Sequence, residues 1–252
     1  MSITAALSVA LFYGFYASQP FILLMGPSNF GAIIGLIIGF FMKDPTTGVM
    51  VGAWIQIMYL GMVNYGGTKP SDQFAASVTA IPLAISTHAP LGITLMIASL
   101  FGSISFPLDK TWKKINTIFW NPRIDKYVED LNFQGIALST SIYPLLVRVI
   151  ISVPAVFVID YYGATLIQKF LTNGPAFLVN SLNNAGLMLP ALGIALFLTS
   201  IGRKNQFPYF AFGYLLLTLI NIPNLMILVL SLILAALSYF ISENKSKKVS
   251  SQ

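Results

Sequence analysis

Long stretches of this chain run without an aspartate, glutamate, lysine or arginine: residues 1–42, 73–108, 170–202 and 205–242. A helix needs about 20 predominantly apolar residues to cross a hydrocarbon core about 30 Å thick, and each stretch is long enough. The first exceeds one span and is broken by Ser18-Gln19-Pro20 and Gly26-Pro27-Ser28-Asn29, so it reads as two segments with an irregular join. The second segment carries Gly31, Gly35 and Gly39 on one helical face, a spacing that lets another backbone approach closely.

A polar joint, Lys43-Asp44-Pro45-Thr46-Thr47, leads to an apolar run over residues 48–65 that contains Gln56 and Asn64. That run ends in Gly66-Gly67-Thr68-Lys69-Pro70-Ser71-Asp72-Gln73, where glycine and proline both interrupt helix. Residues 74–107 are apolar again, broken at Pro82 and at His88-Ala89-Pro90, and fit either one kinked span or a span with a re-entrant piece. Residues 109–130 mix charges with Trp112, Phe119 and Trp120, as an interfacial segment does, and read as a central cytoplasmic loop. Apolar segments follow at about 136–158, 175–201 and 208–241, the last divided by Asn221-Ile222-Pro223-Asn224. The pattern predicts an all-α, polytopic transmembrane bundle with broken or re-entrant helices. Residues 1–242 form a single integral membrane domain on this reading, and 243–252 a polar, disordered tail.

Composition agrees: 56% of residues are hydrophobic and 9% charged, and mean hydropathy is +0.78, far from a soluble domain. The net charge of +6 does not point to nucleic acid. Its cations lie mainly between apolar stretches, at Lys110, Lys113, Lys114, Arg123, Lys126, Arg203 and Lys204 and in the tail, where orientation in a bilayer places them. With no cysteine, neither a disulfide framework nor a thiolate metal site is available. No basic residue precedes the first apolar run and no cleavage site follows it, so that segment is expected to stay in the membrane.

Enzyme constellations are missing as well: one histidine, no HExxH, no GxxxxGK[ST] and no GxSxG. The chain is therefore not expected to be an enzyme alone, and no metal or cofactor is expected. His88 has no carboxylate near it in sequence and reads as structural or interfacial, a proton relay or a phosphoacceptor being the alternative. Arg148 sits alone in an apolar segment and either snorkels or pairs with a neighbouring helix, or lines a polar pathway.

The run from residue 48 into the polar break at residues 64–73 is the richest candidate. Gln56 and Tyr59 share a helical face, with Asn64 close to it, and the following loop bears Lys69 and Asp72. Sugar hydroxyls both donate and accept, which amides and carboxylates match, and an aromatic ring can stack on the apolar sugar face. Gln56, Asn64, Lys69 and Asp72, with Tyr59 and Gln73, are the expected substrate contacts. The competing reading is an interfacial turn. A second cluster, Asn180-Ser181-Leu182-Asn183-Asn184-Ala185-Gly186, suits interhelical hydrogen bonding or a solute or subunit contact.

Residues 48–72, with Gln56, Leu60-Gly61 and Gly66-Gly67-Thr68-Lys69-Pro70-Ser71-Asp72, resemble the signature of the IIC membrane subunit of mannose-type (mannose, fructose, sorbose) bacterial phosphotransferase systems. Leu182-Asn183-Asn184-Ala185-Gly186 and Phe207-Pro208-Tyr209-Phe210 extend the resemblance over nearly the whole chain. It implies a multi-pass protein of the bacterial inner membrane that pairs with a IID subunit, forms homo-oligomers of IIC–IID pairs, and carries sugar inward while IIA and IIB proteins deliver phosphate. Two departures stand out. Ile55-Gln56 replaces the Leu-Glu of many members, so residue 56 can recognise hydroxyls but cannot act as a base. Pro70-Ser71-Asp72 displaces the proline that usually precedes the aspartate. Mannose and amino sugars such as N-acetylgalactosamine are both compatible. An ion-coupled secondary transporter, with Asp72 and Asp160 as its available carboxylates, and a receptor or scaffold without transport are the alternatives.

Overall fold

The structure, a computed structural model, describes residues 1–17, 30–62, 71–202, 207–220, 223, 225–236 and 238. All regular structure among them is helical. The helices are α1 (Ile3–Ala17), α2 (Gly31–Met42), α3 (Pro45–Met58), α4 (Gln73–Thr87), α5 (Leu91–Phe119), α6 (Asn121–Glu129), α7 (Phe133–Ala137), α8 (Tyr143–Asn173), α9 (Ala176–Ile201) and α10 (Phe207–Ile220). A final helix, α11, covers Leu225–Ala236. The chain divides into two compact units, Met1–Ser200 and Ile201–Gln252.

Three helical runs are long and apolar enough to cross a membrane: Leu91–Glu129, Phe133–Asn173 and Ala176–Ser200. Helices α1, α2, α4, α10 and α11 are apolar but shorter. The broken character expected from sequence is thus present, and its causes are local. Helix α2 stops at Lys43, which takes a left-handed φ of 62°, and Pro45 then opens α3 at a position where its missing N–H costs nothing. Asp44 caps α3 by accepting from the Thr47 N–H at 3.1 Å. Hydrogen bonds from the Thr47 side chain and backbone hold that carboxyl below its ordinary range, so the cap weakens only as pH falls through the lowered value.

Residues 74–107 are two helices rather than one kinked span. Helix α4 ends at His88, exposed and in the left-handed conformation with φ 51°, and Pro90 precedes α5. His88 is a helix terminator in this fold. Pro82, by contrast, lies within α4 without ending it. The stretch 109–130, expected as a loop, is helical: it forms the end of α5 and all of α6. Its charges mark an amphipathic surface, and charge alone does not break a helix. Likewise α8 continues past Asp160 to Asn173, since no glycine–proline pair stops it before Gly174-Pro175.

Helix α4 is the hub of the first unit. Every residue from Phe74 to Ile85 is buried, as expected of a helix apolar on all faces, and it packs against α1, α2, α3, α5 and α8. Phe74 anchors its start: the ring stacks on Tyr13 at 5.4 Å between centroids and meets Tyr16 at 4.8 Å and Phe12 at 5.9 Å. Helices α2 and α3 pack backbone on backbone. A Cβ on Gly31, Gly35, Gly48 or Gly52 would fall on a main-chain carbonyl oxygen of the facing helix, which gives the predicted glycine face its partner.

Candidate functional site at the break between α3 and α4

Helices α3 and α4 end and begin near the same part of α5. Tyr59, the residue closing α3, is buried, and its hydroxyl lies 3.1 Å from the Ser71 Oγ and donates to the Ala98 carbonyl of α5 at 3.4 Å. Gly102 leaves room for this arrangement, because a Cβ there would fall on the Tyr59 hydroxyl. Its carbonyl accepts from the Asp72 N–H at 3.0 Å. The tyrosine, the serine and the start of α4 are therefore pinned to one turn of α5.

Asp72 caps α4. Its Oδ1 accepts from the Phe74 and Ala75 N–H groups at 3.0 and 3.4 Å, and its Oδ2 accepts from the Ser105 hydroxyl at 3.4 Å. A carboxylate at a helix N-terminus is favoured both by these otherwise unpaired donors and by the helix dipole. Gln73 follows, with its Nε2 buried and without a hydrogen-bond partner among the described residues. A buried amide donor left open costs about 1–3 kcal/mol, which makes Gln73 the member of the set with capacity to bind something further.

Gln56 faces elsewhere. Its Oε1 accepts from the Ala32 N–H, in the first turn of α2, at 3.3 Å. The amide oxygen thus closes a helix end that interrupts an apolar sequence, where an unpaired N–H would be expensive. A glutamate would offer the same acceptor, so the departure from the Leu-Glu pattern keeps this bond. Of the six expected contacts, the structure brings Tyr59, Asp72 and Gln73 to one helix junction and turns Gln56 to the start of α2. Asn64 and Lys69 lie outside the described residues.

The second polar cluster repeats the device. Asn183 on α9 accepts from the Gly92 N–H at the start of α5 at 3.0 Å, and Gly92 and Gly186 are packed so closely that a Cβ on either would fall on a main-chain oxygen. Asn183 thus makes an interhelical hydrogen bond, as one of the two readings expected. Gly193 of α9 packs in the same way on the Ile57 and Met58 carbonyls, so α9 braces both the end of α3 and the start of α5. Sequence reasoning missed Gly102 and Ser105. The polar run Gly102-Ser103-Ile104-Ser105 within the apolar start of α5 was the available signal.

Arg148 pairs with Asp109 of α5 at 2.9 Å, so it finds a neighbouring helix as one reading proposed. Asp160 of α8 is fully buried, and neither carboxyl oxygen has a hydrogen-bond partner among the described residues. Among the described residues no cluster of histidine, cysteine or carboxylate side chains could hold a metal ion.

Long apolar helices, helix breaks closed by polar side chains and extensive exposed apolar surface define an integral membrane helical bundle. Residues 3–237 match the family described as the phosphotransferase system sorbose-specific IIC component. The chain belongs to that family and is a IIC membrane component of the mannose and sorbose type. It is 29% identical over 184 residues to the sorbose-specific EIIC component of Klebsiella pneumoniae, covering 73% of this chain and 67% of the relative. It is 24% identical over 205 residues to the mannose-specific EIIC component of Escherichia coli strain K12, covering 81% and 75%. It is also 23% identical over 209 residues to the N-acetylgalactosamine permease IIC component 1 of the same strain, covering 77% and 72%. A solved structure titled only as that of a membrane protein shares the fold, with a TM-score of 0.77, 21% identity and 94% of each chain covered.

Proposed function

We propose that this chain is the sugar-translocating subunit of a phosphoenolpyruvate-dependent phosphotransferase system, carrying a hexose or an amino sugar inward for phosphorylation by a IIB partner. The observation that carries the reading is the helix junction at Tyr59, Ser71 and Asp72, packed against α5 within a chain of the IIC family. Relatives named for sorbose, mannose and N-acetylgalactosamine support a monosaccharide substrate.

Asp72, Gln73 and Tyr59 supply acceptor and donor groups at the junction, and Asn64 and Lys69, in the segment that joins α3 to α4, complete the set. Gln56 serves the same site by holding the start of α2. Sugar binding competes for the polar groups that close the helix ends, so binding and helix position are coupled. The site then alternates between the two faces of the bacterial inner membrane, and phosphorylation at the cytoplasmic face prevents return. The working assembly contains a IID subunit, oligomerises as IIC–IID pairs, and receives phosphate through IIA and IIB, so the chain is no enzyme alone. Residues 1–242 act as one transport domain, with 109–130 on the cytoplasmic side and 243–252 as a tail.

The test is a sugar panel in membranes holding this chain, a IID partner and the soluble components, with phosphoenolpyruvate supplied or withheld. Phosphorylated sugar should accumulate only when phosphoenolpyruvate is present. Uptake that does not depend on it overturns the reading and favours ion-coupled transport, for which Asp72 and buried Asp160 are the available carboxylates.

A further inference from the structure

A cavity of about 370 Å³ lies among α1, α4, α5 and α8, away from the Gln56 cap. Its walls are mostly hydrocarbon, with Phe101, Ile104, Ile151, Ala155 and Ile159 along α5 and α8. Ile104 and Ile151 are each more than half exposed, so this apolar wall opens sideways, toward the surface that lipid covers. Asp109 and Arg148 form the charged part, and Trp112 lies one helical turn beyond Asp109.

Charge is unbalanced there. The Asp109 carboxylate pairs with Lys113 at 2.9 Å and with Arg148 at 2.9 Å, so within this ion-pair cluster two cations share one anion, and the Asp72 carboxylate is set back behind the Ser105 hydroxyl. Arg148 uses one terminal nitrogen on Asp109, and its guanidinium has further N–H donors in a fork that suits phosphate oxygens. Lys110 and Lys114 flank the cluster. Ile159 lies eleven residues beyond Arg148 on α8, about 16 Å along the axis, which accommodates most of an acyl chain.

A sugar would be poorly served in this cavity. Four of its five hydroxyl side chains already donate elsewhere, Thr79 to the Ala75 carbonyl, Thr111 to that of Pro107, Ser152 to that of Arg148 and Ser105 to Asp72, and the fifth is Tyr13. The surroundings match an amphiphile with an anionic head.

We propose that this cavity is a binding site for an anionic phospholipid of the surrounding bilayer, with its phosphate on Lys113 and Arg148 and one acyl chain along the α5–α8 wall. Because Ser105 belongs both to this cavity and to the Asp72 cap, a bound lipid would support the α4–α5 junction from behind. The inference rests on the membrane reading alone and stands whatever sugar is carried.

Trp112 provides the probe. The full chain with Trp54→Phe and Trp120→Phe is placed in phosphatidylcholine nanodiscs, and fluorescence is followed as phosphatidylglycerol or further phosphatidylcholine, each with brominated acyl chains, is added. Phosphatidylglycerol should quench Trp112 saturably at a few mole per cent, and at least threefold more than the phosphatidylcholine at equal content. Lys113→Gln, at a side chain 63% exposed whose loss leaves the fold intact, should remove that headgroup preference by neutralising the cluster. Ala155→Phe should lower quenching by filling the acyl path with the charges in place. Equal quenching by both lipids, rising linearly with content and unchanged by Lys113→Gln, overturns the proposal. Displacement of the brominated lipid by millimolar inorganic phosphate also overturns it, by assigning the cluster to a free anion.

Discussion

Helices α2 and α3 meet backbone to backbone, whereas α5 and α8 meet through an ion pair across a cavity. Both pairs come from strongly apolar sequence. In the first, glycines at 31, 35, 48 and 52 bring main chain against main chain, leaving little room and few alternative arrangements. In the second, Arg148 reaches Asp109 from the neighbouring helix, and the space between fills with side-chain ends and an open volume. The first pair can place a helix end accurately; the second can admit a ligand or adjust. A transporter needs both, and here all four helices pack against α4.

The comparison breaks most easily at the glycines. Gly35→Val or Gly52→Val should destabilise the protein by about 3 kcal/mol or more, since overpacking against fixed backbone cannot relax, and should appear as lost monodispersity and a lower unfolding temperature in detergent. Gly163→Ala on α8 is the control. Its Cβ would meet only the Leu83 side chain, at 3.5 Å, so the change should be neutral or stabilising by up to about 1 kcal/mol from helix propensity. Equal damage at the two sites would remove the distinction.

Arg148→Gln comes next. It frees half-buried Asp109 from one of its two cations, and a loss of about 2 kcal/mol in unfolding free energy is expected, below the range for a fully buried pair because Lys113 remains. Gln56→Ala should cost about 1 kcal/mol by opening the α2 end, while Gln56→Glu should retain the cap and the stability. Lys113→Gln is smallest, within about 0.5 kcal/mol, as an exposed partner contributes little. Reversal of the Arg148 and Lys113 ranking in thermal unfolding would mean that the cluster is held from the surface.

Much of this was legible in the sequence. The glycine spacing announced a close helix contact, and the polar break at residues 64–73 announced a helix junction, because glycine and proline act locally. The use of the polar residues was not legible. Gln56 and Tyr59 lie three apart and looked like one face, yet α3 ends between them, so one closes α2 and the other meets α5. Asn183 likewise finds Gly92 across 91 positions of chain. Segment 109–130 was misread in its local structure because its charges suggested a loop, while amphipathic helix carries the same charges. Lone polar residues in apolar sequence announce that a partner exists, and only the fold decides which.

The central claim is that the α3–α4 junction serves both as a helix cap and as the sugar site, and Asp72→Asn separates the two roles. Asparagine keeps a capping oxygen for the Phe74 and Ala75 N–H groups but removes the charge that would hold sugar hydroxyls. The decisive measurement is phosphoenolpyruvate-dependent sugar uptake by this variant beside its unfolding temperature. The account predicts an unfolding temperature within a few degrees of the parent and uptake lowered about tenfold or more, the loss of one charge-assisted hydrogen bond. Full uptake with the same stability would contradict it, leaving Asp72 as a cap and the sugar elsewhere.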